Sequence, residues 1–521
     1  MSEGELAQPQ AKLADSLNVL RALQEDGRRV FRSREFGRTH RERLLQNGFL
    51  QPVIKGWLIS TSPGTRAGDS TPWFASFWEF CSHYCRERYG DDWHLSPEQS
   101  MLLHAGNTVI PRQTIVYSPK GSNNTIELLF DTSLYDLKHK AMPPRQDIAV
   151  IDGLRVITVP AALVKVPESF YRRFPVEARV VLAGLSDSTE ILRPLLNGGH
   201  SVVAGRLVGA LRRVGKNEMA EDVAAGMKSA GFTIRESDPF DDNRKFTDVV
   251  DAMPPIVARI RVLWEQNRSI VKALFPAPPG LSASPDGYLK TVDDIYITDA
   301  YHSLSIEGYR VTPDLVDRVR TGAWNPEHDH ADRDSRDALA ARGYWQAFQR
   351  VKADVERVLN GESAADIVQR THRDWYRALF QPCVAAGITN AQALAGYRND
   401  AVFLRTSRHV PPRWEAVRDA MPALFDLIAQ EPEPSVRAVL GHWLFGYIHP
   451  YPDGNGRMAR FLMNVMLASG GYPWTVIRVE DRDQYLSTLE SASVDGDLEP
   501  FTHFIADRVQ WSINEALGVN K

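Results

Sequence analysis

Residues 436–469, VRAVLGHWLFGYIHPYPDGNGRMARFLMNVMLAS, leave the backbone little choice. Ala438, His442, Phe445 and Ile448 recur at spacings of four, three and three, which is one face of a helix. Pro450 cannot continue that helix, and it pushes the preceding His449 out of the α region. Asp453-Gly454-Asn455-Gly456 then supplies a tight turn from residues that tolerate positive φ. A second helix starts near Asn455, runs through Phe461, Leu462, Val465 and Met466, and stops at Gly470-Gly471. The segment reads as helix, loop, helix, with a glycine-rich loop delivered to a helix N-terminus.

That arrangement has a chemistry. Backbone N–H groups in a first helical turn lack an acceptor within the helix, and the helix dipole adds positive potential, so the turn is an anion site. Arg457 and Arg460 lie three apart on one face of that turn, which suits a polyphosphate better than a single carboxylate. Asp453 at the nest suits Mg²⁺ held by one or two protein oxygens, with phosphates completing the shell. His449, just before the turn, is placed to take a proton from an incoming hydroxyl. A helical hairpin with a chance polar turn would carry one or two of these residues, not all of them within residues 449–460.

HPYPDGNGRMAR, residues 449–460, resembles the Fic family motif HPFx[D/E]GNGRxxR. Tyr451 stands where the family has phenylalanine, which keeps the ring and adds a hydroxyl that wants a polar partner. The Gly-Asn-Gly form is that of the Fic AMP-transferases and differs from the ANK form of the kinase-like Doc branch. Gly396-Tyr-Arg398 with VFLRTSRHVPP over residues 402–412 resembles the family's β-hairpin flap, and Arg482, Tyr485, Leu489 and Gly496-Asp497 resemble the segment that closes its nucleotide site. The likeness spans about residues 290–510. It implies an all-α domain with a hairpin flap, and adenylylation: AMP passes from ATP to a Ser, Thr or Tyr hydroxyl of a protein, the chain itself included. The implied roles are His449 as general base, Asp453 as the Mg²⁺ ligand, and Gly454, Asn455 and Gly456 around the α- and β-phosphates. Arg457 takes the leaving phosphates, Arg460 the γ-phosphate, Tyr485 part of the nucleotide site, and the flap aligns the target by strand addition.

Upstream, Ile297, Ala300, Tyr301 and Leu304 form an i, i+3, i+4, i+7 face, so residues 293–307 read as a helix with Gly308 as the residue past its end. Beside a Fic motif, Ser303-Leu-Ser-Ile-Glu307-Gly308 resembles the family's inhibitory pattern, [S/T]xxxE[G/N]. It implies that Glu307 pairs with Arg460 and keeps the γ-phosphate from its productive place. Two rivals use the same residues: a DNA-binding regulator whose Fic domain only senses nucleotide, and an enzyme that removes AMP, with Glu307 positioning water.

The rest of the 521 residues divides into a winged helix-turn-helix over 1–62, a small α/β module over 63–235, and the helical Fic region over 236–521. The first assignment rests on an amphipathic helix at 12–26, two short helical stretches around Gly37, and a strand pair ending at Ile59. Arg28, Arg29, Arg32, Arg34, Arg38, Arg41 and Arg43 make residues 28–59 a candidate DNA contact. In the α/β module, strands are expected at 114–117, 126–130, 148–151 and 154–158, and helices at 161–166, 175–185, 206–214 and 217–230. The order of the first 200 or so residues resembles the antitoxin half of abortive-infection toxin–antitoxin systems. The 61 basic and 65 acidic residues nearly balance, so any nucleic-acid signal is local. Three cysteines exclude a disulfide framework and suit a reducing cytosol. With no signal-like start and no long apolar run, the expectation is a cytoplasmic chain without a membrane partner. Homo-oligomerisation is left open. Cys81, His83 and Cys85 read as packing residues, and His328, Asp329, His330 and Asp332 as a solvated loop.

Overall fold

The computed structural model describes residues 3–64, 68–240, 253–281, 284–324 and 336–517. It falls into two units: Met1–Pro255 with Phe403–Val410, and Ile256–Val402 with Pro411–Lys521.

The first unit opens with α1 (Glu3–Leu23), β1 (Val30–Arg32), a 3-10 turn at Ser33–Glu35, α2 (Arg38–Gln46), β2 (Leu50–Ile54) and β3 (Trp57–Ser60). The three strands form one antiparallel sheet in the order β1-β3-β2. Alternation sets its two faces. Phe31 and Leu58 pack with Leu20, Phe36 and Leu44 from the helical side. Val30, Trp57 and Ile59 point the other way, into a cluster with Trp73, Phe77 and Phe80 of α3 (Thr71–Tyr89). Residues 1–62 therefore share a core with α3. Cys81 and Cys85 are fully buried there, as packing residues. The arginines of the basic stretch are engaged. Arg28 and Arg38 pair with Glu35 and Glu42, Arg32 and Arg34 with Glu87. Arg29, Arg41 and Arg43 donate to the carbonyls of Ala75, Ser33 and Lys12.

Beyond α3 lies a mixed sheet, β4 (His94–Leu95), β5 (Gln113–Ser118), β7 (Ser133–Lys138) and β6 (Asn124–Glu127) in that spatial order, with α4 (Pro97–His104) after β4. β5 and β7 are parallel. β7 was not expected from the sequence because its inward positions are Leu134 and Asp136. The Asp136 carboxylate breaks the apolar period, yet it is buried, accepting from the Tyr89 and Ser122 hydroxyls and the Asn124 N–H. The hairpin β8 (Ile148–Ile151) and β9 (Leu154–Ile157) leads into the helices α5 (Val159–Lys165), α6 (Ser169–Arg173), α7 (Pro175–Ala183), α8 (Ser188–Gly198), α9 (Ser201–Arg213) and α10 (Asn217–Ser229). The hairpin and α5, α7, α9 and α10 lie within about five residues of the sequence expectation, whereas α6 and α8 were not expected. Phe403–Val410 belongs to this unit: the Ile110 N–H donates to the Arg408 carbonyl, and Arg405 pairs with Asp69. The β-hairpin expected over residues 402–412 is absent, and those residues carry no strand. Pro411 and Pro412 offer no donor for a ladder, and the Arg408 carbonyl is satisfied by Ile110.

The second unit is helical: α11 (Pro255–Leu274), α12 (Pro285–Ile306), α13 (Pro313–Arg320), α14 (Arg336–Leu359), α15 (Ala364–Ala385), α16 (Trp414–Gln430), α17 (Pro434–Ile448), α18 (Asn455–Ser469), α19 (Arg482–Glu490) and α20 (Glu499–Ala516). α14 and α15 pair as a hairpin, and α17 and α18 as another, with α18 also against both α14 and α15. α18 is buried along most of its length, so its N-terminus is held from several directions. The α14–α15 approach depends on Gly343, where a Cβ would fall well inside van der Waals contact of the Leu379 carbonyl oxygen. Backbone cannot yield as a side chain can. Gly343→Ala should therefore destabilise the fold by about 1–3 kcal/mol, read as a lowered thermal midpoint beside the parent chain; an unchanged midpoint would show the two helices free to separate.

Candidate active site

The site is made by the chain reversal between α17 and α18. His449 caps α17 in the left-handed region, at φ 51° and ψ 61°, with its N–H donating to the Phe445 carbonyl at 2.9 Å. Gly454 begins α18 with φ 79°. Asn455 locks the loop between them: its Oδ1 accepts from the Tyr451 N–H at 2.9 Å and its Nδ2 donates to the Tyr451 carbonyl at 2.8 Å. The carboxamide that the resemblance assigned to phosphates closes the loop with its oxygen and one of its two N–H groups. The Tyr451 ring stacks on Tyr376 with centroids 3.8 Å apart and planes 10° apart. Its hydroxyl, for which a polar partner was expected, is buried with no hydrogen-bond partner.

Two guanidinium groups occupy the first turn of α18. Arg457 is 1% exposed and lies over the rings of Tyr309 and Phe380, at 5.2 and 5.1 Å. Its Nε and Nη2 are buried without hydrogen-bond partners, although Nη2 is 3.7 Å from Asp453 Oδ1. Asp453 is half-exposed at the rim, and its Oδ1 accepts from the Gly454 N–H at 2.6 Å. Arg460 donates from Nε to Ser303 Oγ at 2.9 Å and from Nη2 to the Ser303 carbonyl at 3.0 Å and Glu307 Oε1 at 2.7 Å. Its Nη1 is buried and unpartnered. Glu307 Oε1 sits so close over Gly456 that a Cβ there would strike it. Burial alone would raise the Glu307 carboxyl, but Arg460 and Arg457 outweigh it and hold the group below the usual carboxylate range. The same carboxylate raises Arg460 against its own burial.

His449 is deeply placed, and burial pushes its imidazole down to about 4; the Gly446 carbonyl, Glu307 and Asp453 oppose that and Arg398 adds to it. Its Nδ1 lies 3.3 Å from the Gly446 carbonyl. A carbonyl only accepts, so Nδ1 carries the proton and Nε2 keeps its lone pair.

The helix bearing Ser303 and Glu307 ends as expected. Gly308 follows at φ 87°, with the Gly308 N–H on the Ser305 carbonyl and the Tyr309 N–H on the Leu304 carbonyl, a Schellman closure. Arg482 Nε donates to the Ile306 carbonyl at 2.8 Å, and the Val479 N–H to His302 Nδ1 at 3.2 Å, so the helix end is fastened from the far side. The buried Asp299 accepts from the Tyr344 hydroxyl at 2.6 Å, one helical turn before Ser303. Tyr485 lies behind the guanidinium of Arg460, with its hydroxyl 2.7 Å from His442 Nε2 and its pKa pushed up by burial to about 12. The sequence reading named Arg398 only as part of the flap and missed Tyr376 and the Asp299–Tyr344 pair, since none lies near the motif in the chain. His328, Asp329, His330 and Asp332 lie outside the described residues.

Among the described residues, the elements needed to hold an anion of several charges converge on the first turn of α18: a glycine nest, three unpartnered guanidinium nitrogens and a rim carboxylate. Comparison with known proteins agrees with this. Residues 365–467 match the Fic/DOC family. The chain is 31% identical over 282 residues to the protein adenylyltransferase Fic of Nematostella vectensis, covering 53% of this chain and 61% of that one. It is 32% identical over 126 residues to the protein adenylyltransferase fic-1 of Caenorhabditis elegans, covering 24% of this chain and 25% of that one. The chain thus spans at most about three-fifths of these relatives. Among solved structures it is similar to Fic-1 (residues 134–508) from C. elegans, at 18% identity and a TM-score of 0.37, covering 65% of this chain and 87% of that one. Residues 365–467, which carry the α17–α18 reversal, are thus similar to the Fic/DOC family.

Proposed function

We propose that this chain is a protein adenylyltransferase, held at rest by Glu307. The observation that carries the reading is the Glu307 carboxylate lying 2.7 Å from Arg460, directly over the glycine nest. A carboxylate there stands where a phosphate oxygen would otherwise meet the same N–H groups. ATP supplies such oxygens in a row. Its α- and β-phosphates lie along the first turn of α18, where the N–H groups of Gly456 and Arg457 lack helical partners. Arg457 offers Nε and Nη2 to the departing phosphates, and Arg460 its Nη1 to the γ-phosphate once Glu307 withdraws.

Asp453 fits Mg²⁺: it is a half-exposed hard-oxygen donor beside unpaired phosphate-seeking N–H groups. Bound there, the ion would neutralise phosphate charge. His449 Nε2 takes the proton from a target hydroxyl as that oxygen bonds the α-phosphorus; the bond from the α-phosphorus to the bridging oxygen breaks, and pyrophosphate leaves. Loss of the Glu307 carboxylate should raise AMP transfer. A charge-assisted contact contributes roughly 1.5–3 kcal/mol, so Glu307→Gly should incorporate labelled AMP from ATP about ten- to a hundredfold faster than the parent, into itself or a target. Equal rates would return Glu307 to being a helix-end residue. Loss of AMP from a modified protein, abolished by the same change, would establish the reverse reaction instead.

The base can be tested by pH. An ordinary histidine loses its lone pair below about 6.5. The depressed value at His449 leaves the imidazole neutral well below that, so transfer should stay level from pH 8 to 6 and fall only towards about 4. His449→Ala should cost about 10²–10⁴-fold while ATP binding persists. A rate that halves near pH 6.5, or an active alanine variant, would remove His449 from the role.

The N-terminal elements support a second proposal, a winged helix that recruits DNA. The order helix, strand, helix, strand, strand with sheet order β1-β3-β2 suits it, and the Arg34 and Arg38 side chains are 72% and 84% exposed. Their carboxylate partners are surface pairs, of little net strength, so phosphate could displace them. Two phosphate contacts would make the log–log salt slope for duplex binding by the full chain about −1.8. Binding that ignores salt, or none at low salt, would leave the module to proteins.

A further inference from the structure

Among the described residues, the buried Arg398 faces no carboxylate in hydrogen-bond range and donates only to backbone carbonyls. Arg398 is 2% exposed. Its Nε donates to the His449 carbonyl at 2.8 Å and its Nη1 to the Asp400 carbonyl at 3.0 Å. Its Nη2 donates to the Pro412 carbonyl and, at 3.4 Å, to that of Ile448. Its own N–H donates to the Pro450 carbonyl at 2.9 Å. Burial lowers the guanidinium to about 10, with Glu415 opposing, so the group is charged at neutral pH.

These contacts have a pattern. Ile448, His449 and Pro450 form the C-terminal end of α17, where carbonyls are left without helical donors and the dipole favours a cation. Asp400 and Pro412 are the two ends of the segment that enters and leaves the first unit. One guanidinium therefore ties three points together: the helix end that holds His449 at positive φ, and both ends of the 400–412 segment. Asp136 in the first unit is a comparable buried charge, but its partners are hydroxyls and an N–H that join one turn to α3. Only a planar fork reaches carbonyls on several sides at once; an ammonium has three donors at one point.

We propose that Arg398 is a positioning residue, a clamp that sets His449 at the reacting hydroxyl by fixing the end of α17 to the two roots of the 400–412 segment. This rests on the transferase reading. Arg398 touches no phosphate-binding group in the site, so it acts on the geometry of proton transfer and not on nucleotide affinity.

The test uses the full chain carrying Glu307→Gly, with Arg398→Lys and Arg398→Gln added separately. Misplacement of a catalytic group by about 1 Å can cost about 100-fold. Both variants should lose about that factor in kcat for AMP incorporation while ATP affinity, measured by equilibrium binding, stays within about threefold of the parent. Hydrogen exchange should rise together in residues 445–451 and 400–402 and stay level in α14 and α15. A kcat within threefold of the parent overturns the proposal. So does a loss of kcat and ATP affinity together with exchange raised throughout, which is general unfolding. If Arg398→Gln does not fold, Arg398→Lys decides, because it keeps the charge and loses only the fork. If the Glu307→Gly parent transfers no AMP, the transferase reading fails on its own; exchange still judges the clamp, and unchanged protection at both segments overturns it.

Discussion

Two guanidinium groups are buried at the positive end of a helix, and the rest of the site depends on that. Arg457 and Arg460 lie in the first turn of α18, where the dipole disfavours cations and the first N–H groups already lack acceptors. Burial removes the water that would compensate. Such a place needs anions. Asp453 and Glu307 supply some of that charge and the aromatic faces of Tyr309 and Phe380 a little more, yet three guanidinium nitrogens stay unpartnered. The unmet demand is for a ligand with more oxygens than two carboxylates can present.

The proposed switch rests on the same constraint. Glu307 belongs to another helix, so its contribution depends on where α12 stops. A Schellman closure, the bond from Arg482 to Ile306 and the Asp299–Tyr344 pair hold that end in place. Ser303, one turn earlier, gives Arg460 two further acceptors. Withdrawing Glu307 therefore leaves Arg460 oriented by Ser303, so one carboxylate can leave without the cationic site collapsing.

The positions and chemical kinds of the site residues were legible in the chain because the motif is compact. Pro450 dictates the break, Gly454 the left-handed entry, and the spacing of Arg457 and Arg460 the shared face; each is a local rule acting within a turn or two. The C-terminal end of α12 and the paired bounds of β8 and β9 were legible for the same reason, whereas the start of α12, eight residues before the expected one, was not. β7 was not, because a buried aspartate inside a strand looks like a surface residue until its donors are known. The flap failed for a related reason: extended residues were read as a hairpin, while their carbonyls found partners elsewhere, Arg408 at Ile110 and Pro412 at Arg398.

The division is one of range. Local rules in the chain were enough for a helix–loop–helix with a glycine-rich turn, a histidine just before that turn, and a helix ending at Glu307 about 150 residues upstream. The packed structure bears out the Glu307–Arg460 contact that the resemblance implied, and it alone shows that Asn455 closes its own loop, that Tyr485 meets His442, and that Arg398 ends among the carbonyls of α17. Those outcomes turn on which buried donor meets which acceptor across distant segments. Local propensity is silent on such pairing, because it depends on burial and on the direction of side chains once the helices have packed.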